Sequence, residues 1–207
     1  MHTTAASRAA PYSPPPEPGG SVMKAIDVLM DEHRVIERVL DALETAAGRL
    51  DRGEPVPAQF FLDAAEFASG FADRCHHGKE EGVLFQAMAA HGEPADGGVV
   101  GMLKDEHVEG RRYVQQLREA AAALARGDAS AARRIASTSY AYSGLLREHI
   151  EKEDDGVFPM AADVIPESAH DAVLARFADG SEADPASAEY ARYLALAERL
   201  QREAGAR

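Results

Sequence analysis

Apolar residues recur every three or four positions through most of this chain, which is the period of an amphipathic α-helix. One such stripe comprises Ile26, Leu29, His33, Ile36, Leu40, Leu43, Ala47 and Leu50. Another comprises Val100, Leu103, His107, Gly110, Val114, Leu117, Ala121 and Leu124. Each stripe contains one histidine, so each histidine is predicted to face the interior.

Clusters of glycine and proline divide the helical sequence into four long segments. The predicted helices run from about Ser21 to Leu50, from about Pro57 to Ala90, from about Val100 to Gly127, and from Asp128 or Ser130 to near Gly156 and Pro159. The connections are short, so neighbouring helices should be antiparallel. The pattern therefore predicts an all-α fold, an up-down-up-down four-helix bundle with accessory helices at its C-terminal side.

The chain is predicted to have three regions. Residues 1–20 are rich in proline and glycine and are expected to form a disordered tail. Residues 21–165 hold the four long helices. Residues 166–207 contain two shorter helical stretches, 167–179 and 185–203, which are expected to pack on the bundle or to frame a homodimer.

Composition narrows the range of partners. The chain has 207 residues and a formal net charge of −13, which argues against nucleic acid and anionic membranes as partners. No apolar run is long enough for a membrane span or a secretory signal. Cys75 is the single cysteine, so no internal disulfide forms and a reducing, cytoplasmic location is expected.

One pattern of acidic residues and histidines occurs twice, with nearly the same internal spacing. It consists of Asp31-Glu32-His33 followed by His76-x-x-x-Glu80, and of Asp105-Glu106-His107 followed by His149-x-x-x-Glu153. Histidine and glutamate four residues apart share one face of a helix. Buried imidazoles and carboxylates are costly without partners, and a metal ion satisfies both. Four imidazoles and two carboxylates without a thiolate suit a pair of iron, manganese or zinc ions.

The second predicted helix leaves the choice of histidine open, because His77 follows His76 directly. Three- and four-residue steps back from His76 meet Ala72, Ser69, Ala65 and Leu62, as a packed stripe requires. The same steps from His77 meet Asp73, Gly70, Glu66 and Asp63, which is typical of a solvated face. Phe60, Phe67 and Phe71, however, lie closer in helical phase to His77. We predict His76 and Glu80 as metal ligands and keep His77 as an additional ligand or a supporting group.

These motifs together resemble a hemerythrin-like, HHE cation-binding domain, over roughly residues 22–165. The resemblance implies two non-haem iron ions bridged by oxygen and by two carboxylates. His33, His76, His107 and His149 would be terminal ligands, and Glu80 and Glu153 would bridge the ions. Members of this family bind dioxygen or handle nitric oxide, peroxide or iron, so the expected partner is a small diatomic molecule or a peroxide.

Arg111 marks a departure from the oxygen-carrying members, which have a second histidine at this position of the third helix. It is expected to face solvent or to pair with an acid such as Glu148. The chain thus resembles a four-histidine, two-glutamate branch that includes iron-sensing and iron–sulfur-repair proteins, and reversible oxygen carriage is not expected. Tyr142, one heptad before His149, is either a core residue or a hydrogen-bond donor to a ligand.

The leading hypothesis is a di-iron protein that senses, binds or detoxifies a small oxidant or diatomic molecule. One alternative is a weak peroxidase or an iron donor for cluster repair. Another is a bundle in which the metal only stabilises the fold. The sequence does not decide whether the chain is an enzyme.

Overall fold

The computed structural model describes residues 24–94, 96–178, 181 and 183–205. Helices dominate this part of the chain and no strand occurs within it, so the all-helical prediction is confirmed. The predicted tail at 1–20, the first three residues of the first predicted helix and residue 179 lie outside the described residues.

The described helices are α1 (Lys24–Asp51), α2 (Ala58–Phe67), α3 (Phe85–Ala90), α4 (Gly98–Ala125), α5 (Ala131–Lys152), α6 (Phe158–Val164), α7 (Glu167–Phe177) and α8 (Ala188–Ala204). Three π-helical segments lie among them, at Ala68–His77, Glu80–Leu84 and Glu153–Val157. Two of these segments join α2 to α3 in one unbroken run, residues 58–90, here called helix two. The third joins α5 to α6 in a run over residues 131–164, here called helix four.

Helix four continues past the predicted stop near Gly156 and Pro159. Pro159 lies in the first turn of α6, which follows directly on the π-helical segment Glu153–Val157, and the helical run continues past it. The helix ends instead at Val164, before the extended residue Ile165. At its other end, the Asp128 carboxylate accepts a hydrogen bond from the backbone N–H of Ser130, the N-cap residue of α5.

In two pairs of neighbouring helices, residues that come later in one helix contact residues that come earlier in the other. His33 and Asp41 of α1 contact Asp154 and Arg147 of helix four, respectively. Ser69 in helix two accepts a hydrogen bond from Arg118, and Glu81 further along contacts His107, which comes earlier in α4. α4 also packs along α5, and α8 packs against α1 and α2. Within the described residues, no helix combines the length and the apolar character needed to cross a bilayer.

The apolar core is divided into two clusters by a layer of buried polar side chains. One cluster includes Leu29 and Leu84, and the other includes Ile36 and Phe71. The buried polar and charged residues of the intervening layer are Glu32, His33, His76, His77, Lys79, Glu80, His107, His149 and Glu153. Both histidines of the predicted apolar stripes, His33 and His107, are therefore interior, as expected.

Candidate metal centre

The structure brings seven potential metal ligands into two adjoining groups. One group is His33, His76, Glu80 and Glu153, and the other is His77, Glu80, His107 and His149. In each group, one ligand atom per residue lies within 4.8 Å of the others. Glu80 belongs to both groups, so the two groups form one centre with two halves.

Glu80 and Glu153 each face both halves. The Oε1 atom of Glu80 lies 3.1 Å from His76 Nε2, and its Oε2 atom lies 3.5 Å from His107 Nε2. The Oε2 atom of Glu153 lies 3.2 Å from His33 Nε2, and its Oε1 atom lies 3.3 Å from His149 Nε2. Each carboxylate thus directs one oxygen toward one half and its other oxygen toward the other half, which is the arrangement that a bridging carboxylate needs.

His77 is buried in the second half, and the solvated face expected for it is wrong. Its ring stacks on His107 with 3.8 Å between the centroids and 13° between the planes. Both His76 and His77 face inward because Ala68–His77 is π-helical. A π-helix holds more residues per turn than an α-helix, so three- and four-residue steps do not give the facing side there.

Carboxylates approach the Nδ1 atoms of all five imidazoles, on the side away from the centre. The separations are 2.7 Å for His33 and Asp154, 3.0 Å for His76 and Glu32, 2.8 Å for His107 and Glu81, 2.9 Å for His149 and Glu106, and 3.5 Å for His77 and Asp73. At separations of 3.0 Å or less, a carboxylate accepts the Nδ1 proton and leaves Nε2 free to bind metal. His77 differs, because its Nδ1 atom has no hydrogen-bond partner and lies 3.5 Å from Asp73. Sequence reasoning assigned no role to these acids, although Glu32 and Glu106 recur in the two motifs.

Each of these carboxylates also contacts a cationic side chain. Lys79 pairs with Glu32, Lys152 with Glu106, and Arg34 with Asp154. Arg111 donates from Nε to Asp73 and from a terminal nitrogen to Glu81, so it does not simply face solvent and its partners are not the expected Glu148. One arginine therefore holds the two acids behind the stacked rings of His77 and His107.

The two sequence motifs have equivalent contacts. Phe158 stacks on the ring of His33 with 5.3 Å between centroids, and Phe85 lies parallel to His107 at 6.4 Å. These are the phenylalanines that lie nine residues after His149 and His76. The repeat therefore extends to the packing around the histidines. His77 breaks the equivalence, because the matching position of helix four is Ile150.

Burial and charge set the protonation of the centre. Burial lowers the pKa of His77 to about 4, and burial together with the neighbouring His77 lowers the pKa of His107 to about 4. Burial disfavours protonation of His76, but Glu80 and Glu32 outweigh it and raise that pKa to about 10. Burial also raises the pKa of Glu80, but His76 outweighs it and holds this pKa well below its usual range. His76 must therefore release a proton when it binds a metal ion.

Several nitrogen and oxygen atoms of the potential metal ligands lack any hydrogen-bond partner among the described residues. They are Nε2 of His33, Nε2 of His76, both ring nitrogens of His77, and both carboxylate oxygens of Glu80 and of Glu153. Buried polar atoms without partners are costly, and in each half one ligand atom from each residue lies within 4.8 Å of the others. Imidazole and carboxylate donors without thiolate suit iron, manganese or zinc, so the residues present fit a metal pair.

A pocket of about 100 Å³, partly open to solvent, borders the second half of the centre. His77 and His107 line it, together with Tyr142, Arg111 and Arg118 among others. Tyr142 is buried, and burial raises the pKa of its hydroxyl, which therefore stays protonated. Gly110 also lines the pocket, and its lack of a side chain leaves space beside Tyr142.

Comparison with known proteins identifies the family. Residues 24–161 match the model of the hemerythrin HHE cation binding domain. The chain belongs to the hemerythrin family. This match confirms the resemblance seen in the sequence motifs, and it supports metal binding by the centre described above.

Three mycobacterial proteins are similar to the chain at low sequence identity. Uncharacterised proteins of Mycobacterium bovis and of two Mycobacterium tuberculosis strains are each 28% identical to the chain over 161 residues. The match covers 73% of this chain and 62% of each relative, so the chain spans less than two thirds of their length. No solved structure matches the chain.

Proposed function

We propose that this chain is a non-haem di-iron protein that senses, binds or detoxifies a small oxidant or diatomic molecule. The observation that carries the proposal is the pair of carboxylates, Glu80 and Glu153, each of which has one oxygen near a histidine of one half and its other oxygen near a histidine of the other half. Iron in such a centre supplies electrons to, or accepts them from, a small ligand.

The proposed ligands divide unequally between the two ions. His33 and His76 would bind one ion, His107, His149 and His77 would bind the other, and the two glutamates would bridge them. The proposal includes a four-helix, up-down-up-down bundle. It is supported by two pairs of helices, α1 with helix four and helix two with α4, in which residue numbers rise along one helix as they fall along its neighbour. The fifth imidazole would come from helix two, while Arg111 occupies the α4 position of the oxygen carriers' histidine.

The pocket beside His77 and His107 is the proposed route for a small ligand. The protonated hydroxyl of Tyr142 can donate a hydrogen bond to a polar ligand there, and the guanidinium of Arg118 adds positive charge. This polar lining favours the binding of peroxide and other products of dioxygen reduction over the binding of a purely apolar gas. A polar surrounding also favours oxidation of the metal over reversible oxygen storage.

Metal analysis combined with optical spectroscopy tests the proposal. The purified protein should hold about two metal ions per chain, mostly iron. The anaerobically reduced protein is then exposed in separate samples to oxygen, nitric oxide and hydrogen peroxide. Conversion to a ferric spectrum that does not reverse when oxygen is removed would support sensing or detoxification. Full reversal over several cycles would instead support an oxygen carrier.

Two other results would replace the proposal. A protein that holds zinc and shows no spectral change with any ligand would have a metal that only stabilises the fold. Repeated turnover of peroxide with an added reductant would place the chain among weak peroxidases, and transfer of its iron to an acceptor protein would make it an iron donor.

A further inference from the structure

Two equivalent carboxylate–lysine pairs support the centre in different surroundings. Lys79 Nζ lies 2.7 Å from Glu32 Oε1, and these side chains are 3% and 0% exposed. Lys152 Nζ lies 2.5 Å from Glu106 Oε1, and these side chains are 34% and 18% exposed. The first carboxylate contacts Nδ1 of His76, and the second contacts Nδ1 of His149.

Two aromatic side chains of the C-terminal helices lie beside the lysine of the first pair. Lys79 Nζ lies 6.0 Å from the ring centroid of Phe177 in α7 and 5.3 Å from that of Tyr190 in α8. Both aromatic side chains are buried. A cation within about 6 Å of an aromatic face is attracted to it, most strongly where water is excluded. The ammonium thus lies near two aromatic rings and in contact with the Glu32 carboxylate.

We propose that α7 and α8 form a cover that positions Lys79, and through Glu32 the ring of His76, and so controls how tightly the His33–His76 half holds its metal ion. This inference rests on the proposed metal centre. Exclusion of water strengthens the Lys79–Glu32 contact, while solvent weakens its equivalent, Lys152–Glu106. Carboxylates behind histidine ligands fix ring orientation, and their loss costs about 10- to 100-fold in metal affinity.

The repeat supplies matched variants for a test. Lys79→Met and Lys152→Met remove equivalent charges from the covered and the exposed pair. A double variant, Phe177→Leu with Tyr190→Leu, removes the two rings and leaves Lys79 in place. Tyr193→Phe is its control, because Tyr193 also lies in α8 but contacts Arg74 rather than Lys79. Circular dichroism of each metal-free protein verifies that the helices are formed.

The measurement is release of ferrous iron to a coloured chelator, followed over time, after total metal has been determined. In the wild type, with α7 and α8 over Lys79, the His33–His76 half should release its ion slowly. Lys79→Met and the double aromatic variant should both accelerate the release of this ion about 10- to 100-fold. Lys152→Met and Tyr193→Phe should change release less than about threefold, since an exposed pair contributes little.

Three results would overturn the inference. They are equal acceleration by Lys79→Met and Lys152→Met, unchanged release from the folded double aromatic variant, and equal effects of that variant and Tyr193→Phe. If Lys79→Met does not fold, the double aromatic variant alone decides, because it retains the charged pair. A wild-type protein without bound metal would instead overturn the proposed function.

Discussion

His77 stacks on His107 with their ring centroids 3.8 Å apart, although His77 is next to His76 in the sequence and His76 faces the other half of the centre. Adjacent residues in a regular α-helix point about 100° apart. The π-helical segment Ala68–His77 changes this phase, so one helix supplies a histidine to each half. The unequal numbers of histidines in the two halves follow from this segment.

His77→Ala should weaken metal binding in one half only. The variant removes one of three imidazoles around the second ion, so that ion should bind about 10- to 100-fold more weakly while the His33–His76 ion is kept. Metal titration of the purified variant measures this. His91→Ala is the control, because His91 is exposed at the end of α3. Unchanged binding of both ions would show that His77 is not a ligand.

Glu80→Gln and Glu153→Gln should each reduce binding of both ions. Each carboxylate faces both halves, and an amide offers one neutral oxygen in place of two that share a negative charge. Elemental analysis should therefore show less than one metal ion per chain, compared with about two in the wild type. Glu151→Gln, an exposed change two residues from Glu153, should keep full loading. Loss of a single ion from either bridging variant would contradict the bridging role.

Much of the centre follows from the sequence because its two motifs are local. A spacing of four residues on a helix places His149 and Glu153 on one face whatever the rest of the fold does. The apolar stripes place His33 and His107 in the interior for the same reason. The helical class follows from the same stripes, and the α1 and α4 positions agree with the prediction to within a few residues, apart from residues 21–23.

The parts that were not predicted depend on contacts between distant segments or on irregular backbone. The inward position of His77 requires a π-helical segment, which an assumed α-helical period does not reveal. The pairing of Arg111 with Asp73 and Glu81 joins two helices and has no local signal. Helix four continues through Pro159, which lies in the first turn of α6, directly after the irregular π-helical segment Glu153–Val157.

Gly70→Ala should destabilise the contact between helix two and α8. A Cβ atom at this position would lie 1.9 Å from the hydroxyl oxygen of Tyr193, so the ring must move. Overpacking of this kind costs about 1–3 kcal/mol, and the free energy of unfolding should fall by that amount in urea titrations. Gly144→Ala in α5 is the matched control, because no atom lies within 4 Å of its added methyl group. An equal or higher stability of Gly70→Ala would refute this packing.

Removal of metal should lower stability without unfolding the helices. A ligand present at 100 times its dissociation constant stabilises the folded state by about 2.7 kcal/mol, which corresponds to roughly 5–10 °C in a protein of this size. Thermal unfolding before and after chelation measures the change, and added iron should restore it. An unchanged melting temperature after verified metal removal would show that the buried histidines and carboxylates do not depend on metal.

Filling the pocket should slow ligand entry while metal binding stays intact. Gly110 lines the pocket together with His107 and Tyr142, and a Cβ atom there would lie 3.8 Å from the Tyr142 ring, which is ordinary contact. Gly110→Ala should therefore have little effect, whereas Gly110→Leu should extend into the pocket. Stopped-flow oxidation of the reduced protein by peroxide should slow at least about tenfold in Gly110→Leu, a barrier increase of about 1.4 kcal/mol. Gly144→Leu, on an exposed part of α5, controls for helix propensity. If Gly110→Leu keeps both its metal content and the wild-type rate, small ligands reach the centre by another path.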